Sequence, residues 1–514
     1  MQFPTRFEWA AAAATAILLI LSFPNFELSL LAWIALVPLM IVIAHRPNPA
    51  KALLLGWAAG TAFFYCSCYW LTYSMIHYGG LHPVVAYLLL LPAALVVGVF
   101  PGVFALLLAL VIKRWGRAAV LLAPVFWAAM EWARLMVTGQ LWNALGYSQA
   151  FHPLLIAPAV WGGVYAVSFL IVAINAAVVL LLTWQGTRAV TVSGVVVLLV
   201  PATIAISPLF ETYVPPLTTS PVTVVALQPN VPMAFEKSAD ETQALLERHW
   251  TMTTNALKSL PNDGSQRFVI WPESPMNFTY AGDKTLQDQL ANFTQQNHTS
   301  LLFNSLEPTL NNGFYNSALL VNEDGRLIAQ YDKIRLMPFG EYVPLPHWLP
   351  GASLITGLVG EFTPGEKYTL MPFGQGRAGT FICIESAYPY IARRLTSEGA
   401  GVLINISNDG YLGPTAVMRQ HLANVVFRAV ENGRTVLRVT NTGLSARISA
   451  AGKVEDVTGP FQADVRVWQV EPSATTNTFY TRFGDLFVYV CTTITVLVFI
   501  GVLYSSRRSL RQRK

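Results

Sequence analysis

Long apolar runs constrain this chain more than any other feature of its 514 residues. They fill residues 8–210 and 486–504, whereas residues 211–485 have the composition of an ordinary globular domain. Only 12% of the residues are charged, where an average soluble protein carries roughly 25%. The sequence therefore predicts an integral membrane protein that also contains a globular domain.

The apolar runs divide into eight segments that approach the length of a membrane-spanning helix, which is about 20 residues. The segments are 9–23, 28–44, 54–75, 84–112, 118–137, 158–184, 189–209 and 486–504. The first two are short and close together, which indicates a tight hairpin. The fourth is long enough to require tilt or a break near Pro101 and Gly102. We therefore predict a membrane α-helical bundle of eight spans.

Lys and Arg residues occur at every second loop between these segments. They precede the first segment and follow the second, fourth, sixth and eighth, whereas loops 24–27, 77–83 and 138–157 contain neither residue type. Because cytoplasmic loops carry the excess of Lys and Arg, we expect cytoplasmic termini and an outward-facing globular domain. A cleaved signal peptide is the alternative for the N-terminus, but the charge alternation is regular only if the first segment is retained.

The predicted organisation has five parts along the chain. A membrane domain of seven helices covers 1–210, a connector rich in Pro and Thr covers 211–221, and the globular domain covers 222–480. An eighth transmembrane helix at 486–504 and a basic cytoplasmic tail at 505–514 complete the chain.

Strands and helices alternate in the globular domain. The apolar patterns predict strands at 222–228, 268–271, 301–305, 314–321, 327–331, 378–382, 402–406, 435–440, 444–450 and 453–457. Helical spacing occurs at 239–260, 283–297, 388–398 and 416–432. Alternation with added hairpins predicts an α/β or α+β layered fold.

One reactive side chain follows each of three predicted strands: Glu273, Lys333 and Cys383. A carboxylate can take the proton of a thiol during its attack on an acyl carbon, and an ammonium can stabilise the resulting oxyanion. A predicted helix N-terminus after Cys383 also favours a thiolate. Each residue has a simpler explanation as well, because a lone Cys often packs, a Lys is often solvated and a Glu often caps a helix.

The flanking motifs extend this pattern over nearly the whole chain. They are G-Y-S-Q at 146–149, W-P-E-S at 271–274, Y-D-K at 331–333, P-F-G-E-Y-V-P at 338–344, C-I-E at 383–385, N-I-S-N-D-G-Y-L-G at 405–413 and R-x-T-N-T-G at 438–443. The ordered set of Glu273, Lys333 and Cys383 resembles the Glu-Lys-Cys triad of the nitrilase superfamily. With its eight predicted spans, the chain is similar to the apolipoprotein N-acyltransferase family, the membrane-bound branch that completes bacterial lipoproteins.

This resemblance implies an extracytoplasmic nitrilase-like domain, an α-β-β-α sandwich, and a ping-pong reaction. Cys383, deprotonated by Glu273, would take an acyl chain from the sn-1 ester of a membrane phospholipid, with Lys333 and the backbone amide of Ile384 at the oxyanion. The α-amine of a diacylated apolipoprotein would then accept the chain from the thioester. Ile384 stands where many family members have tyrosine.

The resemblance also implies supporting residues and a cellular setting. Glu341, Glu385 and Tyr331 would position the lysine and the incoming groups. The protein would act as a monomer, without metal or cofactor, in the bacterial inner membrane with its catalytic domain on the periplasmic side.

Two other functions remain open from the residues alone. A membrane-tethered amidase would use the same acyl-cysteine and resolve it with water. A transporter would require ionisable residues in several spans, whereas Glu131 and Arg134 stand out on one helix, either as a mutual pair or as a contact for lipid headgroups. Nucleic-acid binding has no support, because membrane topology accounts for the basic residues.

A long connection at 341–365 carries four prolines and many apolar residues. Loops of this length are frequently lids or binding loops. Its apolar residues form a candidate lid that would enter the outer leaflet and guide an acyl chain: Trp348, Leu349, Leu354, Ile355 and Leu358. The alternative is a structural strap that packs on the membrane domain.

Overall fold

The structure, a computed structural model, describes residues 3–184, 186–210, 220–233, 238–261, 264–310, 313–338, 340–342, 362–473 and 477–511. The chain divides into two compact units. The first comprises Met1–Glu211, Thr415–Phe427 and Thr478–Lys514, and the second comprises Thr212–Pro414 and Arg428–Asn477. The candidate lid at 348–358 lies outside the described residues.

The first unit is helical. Its α-helices are Arg6–Ser22, Val37–His45, Pro49–Ser67, Leu71–His77, Pro83–Trp115, Ala123–Thr138, Pro153–Ile156, Ala159–Thr183, Thr187–Ile206, Phe479–Phe483 and Leu486–Arg511. The helix Val417–Asn432 contributes its residues up to Phe427. Several of these helices are long and apolar enough to cross a membrane, in agreement with the predicted membrane domain.

Within the described ranges, five helices are long and apolar enough to cross a membrane, and a sixth span results if Pro49–Ser67 and Leu71–His77, bent by 50°, count as one. The segments predicted at 9–23 and 28–44 correspond to the 17-residue helix Arg6–Ser22 and to the short apolar stretch Ser29–His45. Length and composition therefore support several membrane spans and leave the number eight as a prediction.

The long helix Pro83–Trp115 continues through Pro92 and Pro101. It packs closely against Pro49–Ser67, and a Cβ added at Gly60 would lie 2.7 Å from a side-chain carbon of Pro101. A Cβ added at Gly98 would likewise lie 2.7 Å from the backbone nitrogen of Thr61. Small residues allow such close approach of apolar helices.

Glu131 and Arg134 are both buried in the first unit, with 5% and 2% exposure. Glu131 Oε1 accepts hydrogen bonds from Trp127 Nε1 at 2.9 Å and from the backbone nitrogen of Leu145 at 2.7 Å. Arg134 donates to the carbonyl oxygen of Trp142. No ion pair joins Glu131 and Arg134 in the part of the chain that the structure describes, so the predicted mutual pair was wrong, while a contact with a lipid headgroup stays a prediction.

The second unit contains two sheets of six described strands each. The strands are β1 (Val222–Gln228), β2 (Arg267–Ile270), β3 (Thr299–Pro308), β4 (Phe314–Val321), β5 (Leu327–Asp332), β6 (Leu370–Phe373), β7 (Gly376–Ile382), β8 (Val402–Ser407), β9 (Val436–Thr440), β10 (Ala446–Ile448), β11 (Val454–Glu455) and β12 (Asp464–Val470). Their orders are β12-β1-β2-β3-β4-β5 and β11-β10-β9-β8-β7-β6. Strands β1 to β3 and β7 to β9 run parallel, and their neighbours are antiparallel.

The two sheets pack face to face, with helices on their outer faces. Val224, Ile270 and Leu302 of the first sheet share one core with Ile404 and Leu437 of the second. The helices Ala239–Lys258 and Lys284–Asn297 cover the other face of the first sheet through a second core. The helix Pro389–Ser397 packs on β7 of the second sheet, so the layers follow the predicted α-β-β-α order.

Most predicted elements of this unit are confirmed, with shifts of a few residues at their ends. Strands β1 and β4 have the predicted bounds. Two edge strands, β6 and β12, were missed, because β6 is only four residues long and contains Pro372, and β12 carries partly exposed Asp464 and Arg466. The strand before Cys383 does not lead directly into an α-helix: a 3₁₀ turn, Cys383–Ala387, comes first.

Candidate active site

The three reactive residues of the sequence analysis follow the ends of strands in the second unit. Glu273 follows β2, Lys333 follows β5 and Cys383 follows β7. The backbone places Lys333 directly, because its nitrogen donates to the carbonyl oxygen of Asn316 on β4 at 2.8 Å. Its side chain is 1% exposed.

The Lys333 ammonium lies between two carboxylates. Its Nζ is 2.9 Å from Glu341 Oε1 and 3.4 Å from Glu273 Oε1. Burial by itself lowers the pKa of Lys333, but Glu273 and Glu341 outweigh this effect and raise the pKa well above its usual value. The lysine is therefore a permanent cation at neutral pH.

An amide that the sequence analysis missed bridges the same two carboxylates. Asn316 Nδ2 donates to Glu273 Oε1 at 2.9 Å and to Glu341 Oε1 at 2.7 Å. Asn304 Nδ2 orients this amide by donating to Asn316 Oδ1 at 2.8 Å. Asn316 lies on β4 outside every motif noted above, so no local signal in the sequence indicates its role.

Backbone amides hold the second oxygen of each carboxylate. Glu273 Oε2 accepts from the nitrogen of Asn408 at 3.0 Å, and Glu341 Oε2 accepts from the nitrogen of Met337 at 2.7 Å. Four donors therefore fix the orientation of the two carboxylates.

A buried ion pair supports the segment that carries Asn408. Arg438 Nη2 donates to Asp409 Oδ2 at 2.7 Å, and both side chains are at most 1% exposed. The same guanidinium donates to Asn405 Oδ1 at 2.5 Å. These residues belong to two of the quoted motifs, which could have indicated them, although the sequence analysis assigned them no role.

Cys383 opens the 3₁₀ turn with a backbone φ of +52°. This left-handed conformation is unusual for a residue other than glycine and is typical of strained functional positions. Burial raises the pKa of the thiol far above its usual value, Glu273 raises it further, and Lys333 opposes them. A nucleophilic reaction of this thiol would therefore need a base to take its proton.

Ile384 is the second residue of the turn Cys383–Ala387 and is buried. The first amides of a helical turn have no acceptor within that turn. The Ile384 backbone amide is thus available, beside the thiol, to donate to an oxyanion.

Glu385 forms a second polar cluster. Both of its oxygens accept from the Tyr331 hydroxyl, at 3.0 and 2.9 Å. The backbone nitrogens of Ile334 and Arg335 donate to Oε1 at 2.7 and 3.1 Å, and that of Ile382 donates to Oε2 at 2.7 Å. Burial raises the pKa of Glu385 to about 7, although these donors oppose the shift.

The Glu385 carboxylate thus joins the backbone just after Lys333 to the backbone just before Cys383. Glu273, Lys333 and Glu341 form one cluster, while Glu385 and Tyr331 form a neighbouring one that holds the main chain. Among the described residues, no three His, Cys, Asp or Glu side chains are grouped as ligands for a metal.

The fold of the second unit agrees with comparisons to known proteins. The sequence model of the carbon-nitrogen hydrolase family matches residues 222–479, which defines the class of the second unit as a nitrilase-superfamily domain. The model described as the apolipoprotein N-acyltransferase N-terminal domain matches residues 15–177.

Whole-chain relatives extend these matches. The chain is 32% identical to an apolipoprotein N-acyltransferase of Geobacter metallireducens over 95% of this chain and 93% of the relative. It is 29% identical to the protein of the same name from Chlorobaculum tepidum over 93% of each chain. The chain belongs to the apolipoprotein N-acyltransferase family.

Two solved structures are more distant. Nit3 of Saccharomyces cerevisiae is 21% identical, with a TM-score of 0.38 over 49% of this chain and 91% of its own. An amidase from Nesterenkonia sp. is 15% identical, with a TM-score of 0.38 over 54% and 98%.

Proposed function

We propose that this protein is a phospholipid:apolipoprotein N-acyltransferase and that Cys383 carries the acyl chain as a thioester. The observation that carries the proposal is the cluster of Lys333 with Glu273 and Glu341. Glu273 and Lys333 are the charges that act most strongly on the Cys383 thiol, followed by Asp409 and Glu341. Family membership supplies the substrates: a membrane phospholipid as donor and a diacylated apolipoprotein as acceptor.

In the first half-reaction, the Cys383 sulfur attacks the carbonyl carbon of the sn-1 ester while Glu273 takes the thiol proton. A thiolate beside two carboxylates is costly, so attack and proton transfer must occur together. Lys333 and the Ile384 amide stabilise the oxyanion. As the C–O bond breaks, Glu273 returns the proton to the departing lysophospholipid oxygen, and the C–S bond of the thioester remains.

In the second half-reaction, the free α-amine of the diacylglyceryl-cysteine attacks the thioester. A C–N bond forms, the C–S bond breaks, and Glu273 accepts an amine proton that it passes to the departing sulfur. Glu341 and Asn316 keep Glu273 and Lys333 in position throughout, while Glu385 and Tyr331 hold the main chain on both sides of the site.

The proposed setting is the bacterial inner membrane. Eight spans, cytoplasmic termini, the domain bounds 1–210 and 222–480, a periplasmic catalytic domain and a monomeric state are parts of this proposal. The loop charges support the orientation. A Glu323→Cys variant in the β4–β5 turn tests it, because a membrane-impermeant maleimide added to cells with a permeable outer membrane should label this residue, and protection from label would contradict the orientation.

Mass spectrometry of the purified full chain with phospholipid tests the chemistry. We expect one acyl chain on Cys383, none in Cys383→Ser, and discharge upon addition of a diacylglyceryl-cysteine peptide. Discharge by water without peptide would favour the membrane-tethered amidase, and the absence of any acyl-enzyme would contradict both.

A further inference from the structure

An exposed guanidinium lies two residues beyond Lys333. Arg335 contacts two tyrosine rings, with its Cζ 5.5 Å from the ring centroid of Tyr390 and 5.8 Å from that of Tyr388. Its Nε donates to the Tyr390 hydroxyl. The ring contacts and the hydrogen bond restrict the side chain to one orientation, although Arg335 is exposed at the surface.

The charge of Arg335 has no carboxylate partner among the described residues. Arg394 provides the contrast, because its guanidinium also lies over a tyrosine ring, that of Tyr368 at 5.9 Å, but pairs with Glu398 at 2.7 Å. An oriented, exposed and uncompensated guanidinium beside aromatic rings suits a phosphate group, which it can bind through two parallel hydrogen bonds.

The backbone of Arg335 is tied to the candidate active site. Its nitrogen donates to Glu385 Oε1 at 3.1 Å, and Glu385 Oε2 accepts from Ile382, the residue before Cys383, at 2.7 Å. The Glu385 carboxylate therefore connects the backbone at Arg335 to the backbone next to Cys383. In a glycerophospholipid, the sn-1 ester and the phosphate are likewise separated by the short glycerol backbone.

We propose that Arg335, held by Tyr388 and Tyr390, binds the phosphodiester of the acyl donor while the donor's sn-1 ester lies at Cys383. This inference rests on the proposed function and adds the group that recognises the donor's head. The subsite explains how the enzyme selects a phospholipid over a neutral glyceride that carries the same acyl ester.

Two donors with the same acyl chains, phosphatidylglycerol and diacylglycerol, test the subsite in identical detergent micelles. Acylation of Cys383 is followed by mass spectrometry in single turnovers, at several donor concentrations and with or without millimolar inorganic phosphate. In Arg335→Gln we expect the efficiency of Cys383 acylation from phosphatidylglycerol to fall approximately tenfold, because a higher donor concentration is needed for half-saturation. This magnitude is that of one lost charge-assisted hydrogen bond. Acylation of Arg335→Gln by diacylglycerol should be as efficient as that of the wild type. Arg335→Lys should recover part of the efficiency with phosphatidylglycerol.

Arg394→Gln is the matched control and should behave as the wild type with both donors. An equal loss with both donors in Arg335→Gln would overturn the subsite and indicate a general effect on the site. Equal use of both donors by the wild type would also overturn it. Inhibition of diacylglycerol turnover by inorganic phosphate, with unchanged phosphatidylglycerol use in Arg335→Gln, would assign the site to free phosphate instead. A wild type that is acylated by neither donor would contradict the proposed function and the subsite together.

Discussion

Replacement of Lys333 by Met removes the buried ammonium but keeps an unbranched side chain of similar length. The two carboxylates of Glu273 and Glu341 would then face each other across the Asn316 amide. Their Oε1 atoms lie 2.9 and 2.7 Å from Asn316 Nδ2, so they are at most 5.6 Å apart, the sum of these distances.

Two like charges about 5 Å apart at an effective dielectric constant of about 20 repel each other by about 3 kcal/mol. This repulsion disfavours the ionisation of both carboxyl groups in the folded variant, so we expect folded Lys333→Met to retain a proton at this pair that the unfolded chain has already lost. The loss of Lys333 also raises the pKa of Glu385, because Lys333 is among the groups that lower it.

The sign of the pH dependence follows from linkage. A carboxyl with a folded pKa above its unfolded pKa stabilises the folded protein below the unfolded value, and this contribution is lost as pH rises through the folded value. The unfolding free energy of Lys333→Met should therefore fall by about 3 kcal/mol more than that of the wild type between about pH 4 and pH 8. This difference corresponds to roughly 6–12 °C in Tm for a domain of this size.

Thermal unfolding of the detergent-solubilised full chain at a series of pH values provides the measurement. Lys284→Met is the matched control, because Lys284 pairs with Asp288 at 2.8 Å but is 78% exposed, and exposed pairs contribute little. Its curve should run parallel to that of the wild type. A Lys333→Met curve that also runs parallel would refute the idea that the ammonium keeps two adjacent carboxylates ionised.

Three further substitutions address the supporting groups. Asn316→Leu removes the amide donor from both carboxylates, so it should lower the unfolding free energy by about 1–3 kcal/mol and slow acylation of Cys383 in the mass-spectrometric assay; unaltered acylation would exclude a positioning role. Burial raises the pKa of Glu385 from 4.5 to about 7, so its contribution to stability is present below pH 4.5 and is lost as pH rises through about 7. Glu385→Gln should therefore flatten this part of the curve of Tm against pH. An unchanged slope would assign the pH dependence to other groups. Arg438→Met leaves the Asp409 carboxylate buried without its cation and should cost about 3–5 kcal/mol in denaturant unfolding; a cost below about 1 kcal/mol would show that the segment holding Asn408 does not depend on this pair.

The sequence predicts the second unit well where apolar periodicity is strong. Strand β1 was predicted with its observed bounds from its alternating pattern, and β4 from the hairpin turn that follows it. Edge strands such as β12 expose charged residues, and their apolar pattern is correspondingly weaker. The turn after Cys383 was missed because a single residue with positive φ leaves no periodic signal.

The candidate site was predicted unevenly for a related reason. Glu273, Lys333 and Cys383 could be named because each follows an apolar strand and lies in a recognisable motif. Asn316 could not be predicted from the sequence, because the pairing of β4 with β5 brings it beside Lys333. A lone Asn on a strand has many explanations, and contacts between residues distant in sequence select among them.

At Cys383, the residue that the proposed chemistry requires has a backbone conformation that lowers the stability of the fold. Its φ of +52° lies where glycine and asparagine are more stable than other residues, so Cys383→Gly should relieve backbone strain while it removes the proposed nucleophile. Selection of variants for expression or heat resistance alone should therefore favour substitutions that remove the proposed nucleophile. Any programme to stabilise this protein has to screen for acyl transfer in the same round.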